Sequence, residues 1–401
     1  MEKEKNSSRV HKEQTLIFLL FILIYGSSSI VIMGSAYRPL DPFLNVLRYI
    51  LVGVGFFLLF YHFLRRKQQW PKFRSYLSFY LFFIWILFGS TIFISEMTHH
   101  SIPIQGLFLL VFVPIIYFWV MPGSGKMFEL VVLCGLFFSN FFYIVCSYIR
   151  VPITIFPYYG LAGNPNGFGQ LSTLSFITAI YLLIVKSNGK RPLQKLKKPL
   201  LFCALSISFI SVILSQSRTS LVVMGAITLF LLFIYIINHT SWKPLLFIFT
   251  IVTIFLLFIP KETLLSGLID KFSTSHSQGD LLNGREEIWG KVINEAVLLG
   301  NGSSYFDGFT EGAHNSIIWI LGVYGYLAAL LFAIFLLFAL IVSIQFIFKK
   351  GNNHLVKFLP FIITLTFILF SMTESMFGLI GTGITIAFYN VVGYLLFYSK
   401  K

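Results

Sequence analysis

The sequence predicts an all-α integral membrane protein with about twelve transmembrane helices and one long loop between the ninth and tenth. Three observations lead there. The 401 residues are 57% hydrophobic and only 11% charged, with a mean hydropathy of +0.83, outside the range of soluble domains. Apolar runs recur from Thr15 to Tyr398, each near the length needed to cross a hydrocarbon core of about 30 Å. Lys and Arg gather in alternate connections instead of spreading along the chain. No polar segment is long enough for a core of its own, so residues 1–401 are read as a single polytopic domain without internal repeats.

The first span, 15–34, follows a basic tail. A basic start and an apolar run also make a signal peptide, but this run is longer than such leaders carry and is read as retained. Span 42–64 ends on the basic connection RRKQQWPKFR. Spans 76–95 and 102–120 follow, and Lys126 precedes span 127–149. Span 168–185 leads to the six basic residues between Lys186 and Lys198, and then come 199–216 and 219–237, joined by a hairpin of a few polar residues. Span 244–259 opens behind Lys243, and the last three spans are 324–348, 355–371 and 378–398.

With both termini inside, the inner segments hold 22 of the 30 Lys and Arg but only 4 of the 15 Asp and Glu. The inner side therefore carries +18 and the outer side −3, the asymmetry of the positive-inside rule. The formal charge of +15 is explained by orientation, and a nucleic-acid partner is excluded. Cys134, Cys146 and Cys203 all fall in apolar runs, so neither a disulfide framework nor a zinc spacing follows.

This topology puts Arg218, in SQSRTSL, at the outer surface, where positive charge is avoided; a snorkelling helix-end arginine is the plain alternative to a functional one. The long outer loop, residues 261–313, carries a second arginine. From Arg285, Ile288, Trp289, Val292, Ile293, Ala296 and Leu299 recur at helical spacing opposite Glu286, Glu287, Lys291, Asn294 and Glu295. An amphipathic helix near 284–299, lying on the outer interface, is expected. Asn283 and Glu286 have capping-box spacing, which places Arg285 in the first turn, where the helix dipole opposes a cation and favours a bound anion. From His314 to Phe348 a straight helix would measure about 52 Å against a core of about 30 Å. A short helix led by His314 and Asn315, a break near Gly322 or Gly325, and then the true span are expected.

LAGNPNGFGQL, SQSRTSL, GREEIW with LLGNGSSYF, and HNSIIWILGVYGYLAALLF occur in an order that resembles bacterial O-antigen ligases and oligosaccharide repeat-unit polymerases, over residues 161–340. The resemblance implies a GT-C-like membrane glycosyltransferase of the cytoplasmic membrane, acting without metal or other cofactor on its outer face. Its donor and acceptor would be undecaprenyl-diphosphate-linked glycans at the lipid bilayer, with a flippase and a chain-length regulator as protein partners. Arg218, Arg285 and His314 match the positions at which such enzymes carry their functional residues.

The residues fit that chemistry. Leaving diphosphate carries about two negative charges, which many enzymes meet with a carboxylate-held metal. The outer side has no Asp-x-Asp, so the available clamp is arginine, whose paired donors suit phosphate oxygens. Arg218 and Arg285 are the expected clamp, with Arg150, Arg38 and Arg48 as secondary candidates. His314 is the expected group acting on the acceptor hydroxyl, with Glu286, Glu287, Asp307 and Glu311 as alternatives. Asn315, Glu286 and Trp289 complete the candidate substrate-binding set. Direct displacement predicts inversion at the anomeric carbon. Polysaccharide polymerase is the preferred activity, an O-antigen-type ligase the alternative, and a lipid-linked oligosaccharide flippase the rival from another class. The flippase is disfavoured because the arginines and His314 gather at one face and not at the midplane.

Overall fold

The computed structural model describes residues 2–34, 40–65, 72–123, 128–184, 193–238, 285–309, 311–348, 356–377 and 381–397. Among them there is no strand. The helices are α1 (Glu2–Ser28, continued by a 3-10 turn Ser29–Met33), α2 (Pro42–Arg65), α3 (Tyr76–Thr98), α4 (Ile104–Gly123), α5 (Phe128–Arg150) and α6 (Pro165–Ile184). Then follow α7 (Leu193–Ser215), α8 (Arg218–Asn238), α9 (Arg285–Glu295), α10 (Ser316–Phe348), α11 (Leu359–Ser371) and α12 (Gly383–Phe397). Eight helices among the described residues are long and apolar enough to cross a membrane, and α11 and α12 are shorter apolar helices. The chain is an all-α integral membrane protein. The expected span 244–259 lies outside the described residues, as do Arg38, Asn283 and the part of the long loop before Arg285.

The described helices pack as two compact units. The first comprises Met1–Val31, Asp41–Ser139 and Gly284–Lys401. Its centre is aromatic: Trp85 on α3 is fully buried against Phe88, Phe118, Phe335 and Tyr389, with ring centroids 4.8 to 5.6 Å away. Lipid tails are as apolar as these rings, so the gain is close packing and not escape from water. The indole N–H must still be satisfied, and the partner follows from the backbone of α4. That helix is π-wound over Phe108–Val120, so each N–H reaches back five residues, and Pro114, which has no N–H, leaves the Leu109 carbonyl without its usual donor. Trp85 Nε1 donates to that carbonyl at 2.9 Å. One proline thus sets where the core tryptophan sits.

α10 is broken at Gly325, whose φ of +89° and ψ of −179° no helix accepts. The break separates Tyr326 N–H and Leu327 N–H from the Gly322 and Val323 carbonyls they would meet in a continuous helix. The loop segment after α9 replaces all four partners. Tyr326 N donates to Val297 O (3.1 Å) and Leu327 N to Leu298 O (3.4 Å), while Asn301 N and Gly302 N each donate at 3.0 Å to Gly322 O and Val323 O. Ser95 Oγ and His99 Nε2, at the end of α3, hold the Leu299 and Gly300 carbonyls from the other side. Backbone groups at membrane depth cannot be left unpaired, so the glycine-rich stretch LLGNG is the structural complement of the break.

The second unit comprises Ile32–Leu40 and Asn140–Asn283. Its centre is α6, whose Ser172, Thr173, Ser175 and Thr178 are all buried. Their hydroxyls are satisfied within the helices: Ser172 donates to Phe168 O, Thr178 to Leu174 O and Thr173 to Ser220 O, and Ser208 of α7 donates to Ser175. Small side chains let α6, α7 and α8 approach closely, the usual basis of helix association in lipid.

Candidate functional site

In the second unit, the α7–α8 hairpin carries Arg218. Gln216 takes a left-handed conformation (φ +49°), Ser217 accepts from Ser220 N at 3.4 Å, and Arg218 is the first residue of α8, half-buried. The hairpin is seated on α6 at Gly169, where an added Cβ would lie 2.5 Å from Ser220 Oγ, 2.8 Å from Ser215 Oγ and 2.9 Å from Ser217 Cβ. LAGNPNGFGQL and SQSRTSL, far apart in the chain, therefore meet, and Gly169 is where the first makes room for the second. Arg150, in the last turn of α5, is exposed, a position that the helix dipole alone favours for a cation.

In the first unit, His314, Asn315 and Ser316 close on the turn that follows α11. His314 Nδ1 lies 3.2 Å from Glu374 Oε2. Asn315 Nδ2 donates to Met372 O at 3.2 Å, while its Oδ1 accepts from Ile317 N and Ile318 N and caps α10. Ser316 Oγ donates to Glu374 O and accepts from Met376 N. Each residue of HNS thus has a distinct task, two clamping the turn and one presenting an imidazole to its carboxylate.

Arg285 reaches the same turn, Nη1 donating to Thr373 O at 3.4 Å, so the residues holding Arg285 and His314 are consecutive. A guanidinium has five donors, and one long bond uses a single one. Arg285 is the first residue of α9, as Arg218 is of α8. Part of the apolar side of α9 faces the protein, since Val292 is fully buried and Trp289 Nε1 donates to Ala313 O at 2.8 Å, while Ile293 is exposed. Glu286 and Glu287 are exposed on its outer side. Glu311 Oε2 lies 3.7 Å from His314 Nε2, so the ring stands between two carboxylates. Carboxylates only accept, so a ring nitrogen that carries a proton can donate it to the carboxylate it faces, Nδ1 to Glu374 at 3.2 Å.

Arg48 stands apart from this cluster in sequence and setting, buried within the membrane span α2 with its guanidinium 4.9 Å from the centre of the Tyr49 ring. Beyond the cluster, burial and then Glu295, which accepts from its hydroxyl at 2.8 Å, push the Tyr305 phenol above the usual range. Among the described residues, no group of three His, Cys, Asp or Glu side chains is placed to hold a metal ion.

Glu374 was not singled out in the sequence. Its signal was there: a lone carboxylate, in SMTESMFG, directly after an apolar span and on the same expected face as His314.

The fold and the polar cluster define a multi-pass, all-helical membrane protein with a histidine and an arginine held at one partly exposed turn. Residues 203–333 match the family model described as O-antigen ligase, which bears out the resemblance to the O-antigen ligase and polymerase family over that segment. The matched residues contain Arg218, Arg285 and His314 but not Glu374. The match supports an O-antigen ligase or polymerase type of membrane glycosyltransferase in general. No curated protein matches the chain.

Proposed function

We propose that the protein is a polysaccharide polymerase that joins undecaprenyl-diphosphate-linked oligosaccharide repeat units on the outer face of the cytoplasmic membrane. The observation that carries the mechanism is the His314–Glu374 pair beside Arg285. Glu374 holds the Nδ1 proton, so Nε2 accepts the proton of the acceptor sugar hydroxyl as that oxygen attacks C1 of the donor. The bond from C1 to the diphosphate oxygen breaks, the lipid diphosphate leaves with the bonding electrons, and the configuration at C1 inverts. Glu311, near Nε2, stabilises the imidazolium once it forms.

Arg218 and Arg285 receive the leaving charge. Support comes from their placement at helix starts, where the dipole disfavours a cation by about 0.3–1 kcal/mol and favours an anion. Orientation is supported by the concentration of basic residues in the connections assigned to the inside. A second activity, transfer of the glycan to another surface acceptor, is favoured by the description of the matching family as O-antigen ligase.

Reconstitution in liposomes with a lipid-linked repeat unit tests this. Longer glycan on the lipid, formed in excess chelator, is expected. Glycan moved only onto a different acceptor assigns the ligase, and passage across the bilayer without new linkages overturns both.

A further inference from the structure

We propose that the segment joining α9 to α10 is a wedge inserted among the acyl chains of the bilayer, so that the loop carrying Arg285 is seated in the membrane and not above it. The inference rests on α10 as a membrane span and is independent of the enzymatic activity.

The depth of the segment follows from the break at Gly325. Beyond it, α10 runs from Tyr326 to Phe348, 23 residues or about 34 Å, which matches a hydrocarbon core of about 30 Å. Tyr326 therefore marks the edge of the core, where tyrosine is favoured. The lipid-facing stripe of this span is visible in its exposed residues Leu330, Leu337, Ile341, Ile344 and Phe348, spaced 7, 4, 3 and 4 apart on one helix face.

That stripe does not stop at the break. Leu327 and Tyr326, one turn above Leu330, are 39% and 47% exposed. Their N–H groups are bonded to the Leu298 and Val297 carbonyls, which fixes the loop at the same depth. Val297 and Leu298 are themselves 49% and 64% exposed, and Ile293, whose carbonyl accepts from the Tyr326 hydroxyl, is 48% exposed. The apolar surface is thus continuous from the span onto the loop. The charged residues Glu286, Glu287 and Lys291 of α9 are exposed as well.

The wedge cannot withdraw to water without losing the four hydrogen bonds that complete α10. Acyl chains are its natural occupant, because continuity with a bilayer-facing stripe is what the surface displays, and leaving three large apolar side chains in water would be costly.

Spin labels at single cysteines, in full-length protein with Cys134, Cys146 and Cys203 replaced by serine and reconstituted in phosphatidylglycerol–phosphatidylethanolamine nanodiscs, test this. Leu298→Cys and Ile293→Cys should collide with oxygen more than with a water-soluble nickel chelate, as Leu330→Cys does, and Glu287→Cys should show the opposite. Nickel-dominated collision at both loop sites would overturn the wedge. Labels shielded from both reagents would also overturn it, by showing that protein, from a second copy or another chain, covers the surface.

Discussion

His314 sits at φ +46°, a left-handed conformation that costs a non-glycine residue about 1–2 kcal/mol. The strain is maintained by the clasp of Asn315 and Ser316 on the turn at 372–376, and it turns the imidazole toward Glu374. Backbone and side chain can be tested separately. His314→Gly should be more stable than His314→Ala by about 1 kcal/mol in a thermal unfolding assay, because glycine accepts the conformation. Both should lower turnover by about 10²- to 10⁴-fold while donor binding is retained. Glu374→Gln keeps the shape but lets the amide donate as well as accept, so the Nδ1 tautomer is no longer enforced. Its loss should appear in kcat and in the pH profile rather than in KM, and an unaltered pH profile would return Glu374 to a purely structural role. For Arg218 and Arg285, lysine is the informative replacement. It keeps the charge and loses the paired donors, so Arg218→Lys should stay severely impaired in glycan transfer. An arginine serving only topology would tolerate lysine.

At the scale of elements, the loop after α9 and the break in α10 form one structural device. Gly300, at φ +78°, places its backbone so close to Val323 that no Cβ fits between them. Gly300→Ala should therefore separate the loop from α10 and expose four backbone groups, destabilising by about 2 kcal/mol or more. Gly312→Ala, where an added Cβ meets nothing within 4 Å, should be close to neutral. The comparison is read by melting temperature in detergent, and equal effects at the two sites would argue against the device. Gly169→Ala is a third case: it should displace the hairpin carrying Arg218 and lower activity more than stability, since Ser220, Ser215 and Ser217 are what its Cβ would meet. The need for a break was legible in the excess length of the run from His314 to Phe348. That LLGNGSSYF is the segment that completes it was not, because backbone hydrogen bonds carry no sequence pattern of their own.

Over the whole molecule, charge asymmetry and hydropathy lead to one testable orientation. A cysteine at Ser277 should react with an impermeant maleimide in intact cells, and one at Asn188 should not; the reverse pattern would place the proposed chemistry on the wrong side of the membrane. What the sequence alone determined is what depends on composition and local period. Apolar runs specify helices in lipid because no other backbone conformation satisfies its own polar groups there, and an arginine out of place in the charge pattern marks itself. Tertiary structure decided the partners. Trp85 on the Leu109 carbonyl, Gly169 beneath the Arg218 hairpin, and Glu374 against His314 join residues 24, 46 to 51 and 60 positions apart. Such pairings are selected by the packing of whole helices, and Glu374 is one carboxylate among fifteen acidic residues until the fold brings it to the imidazole.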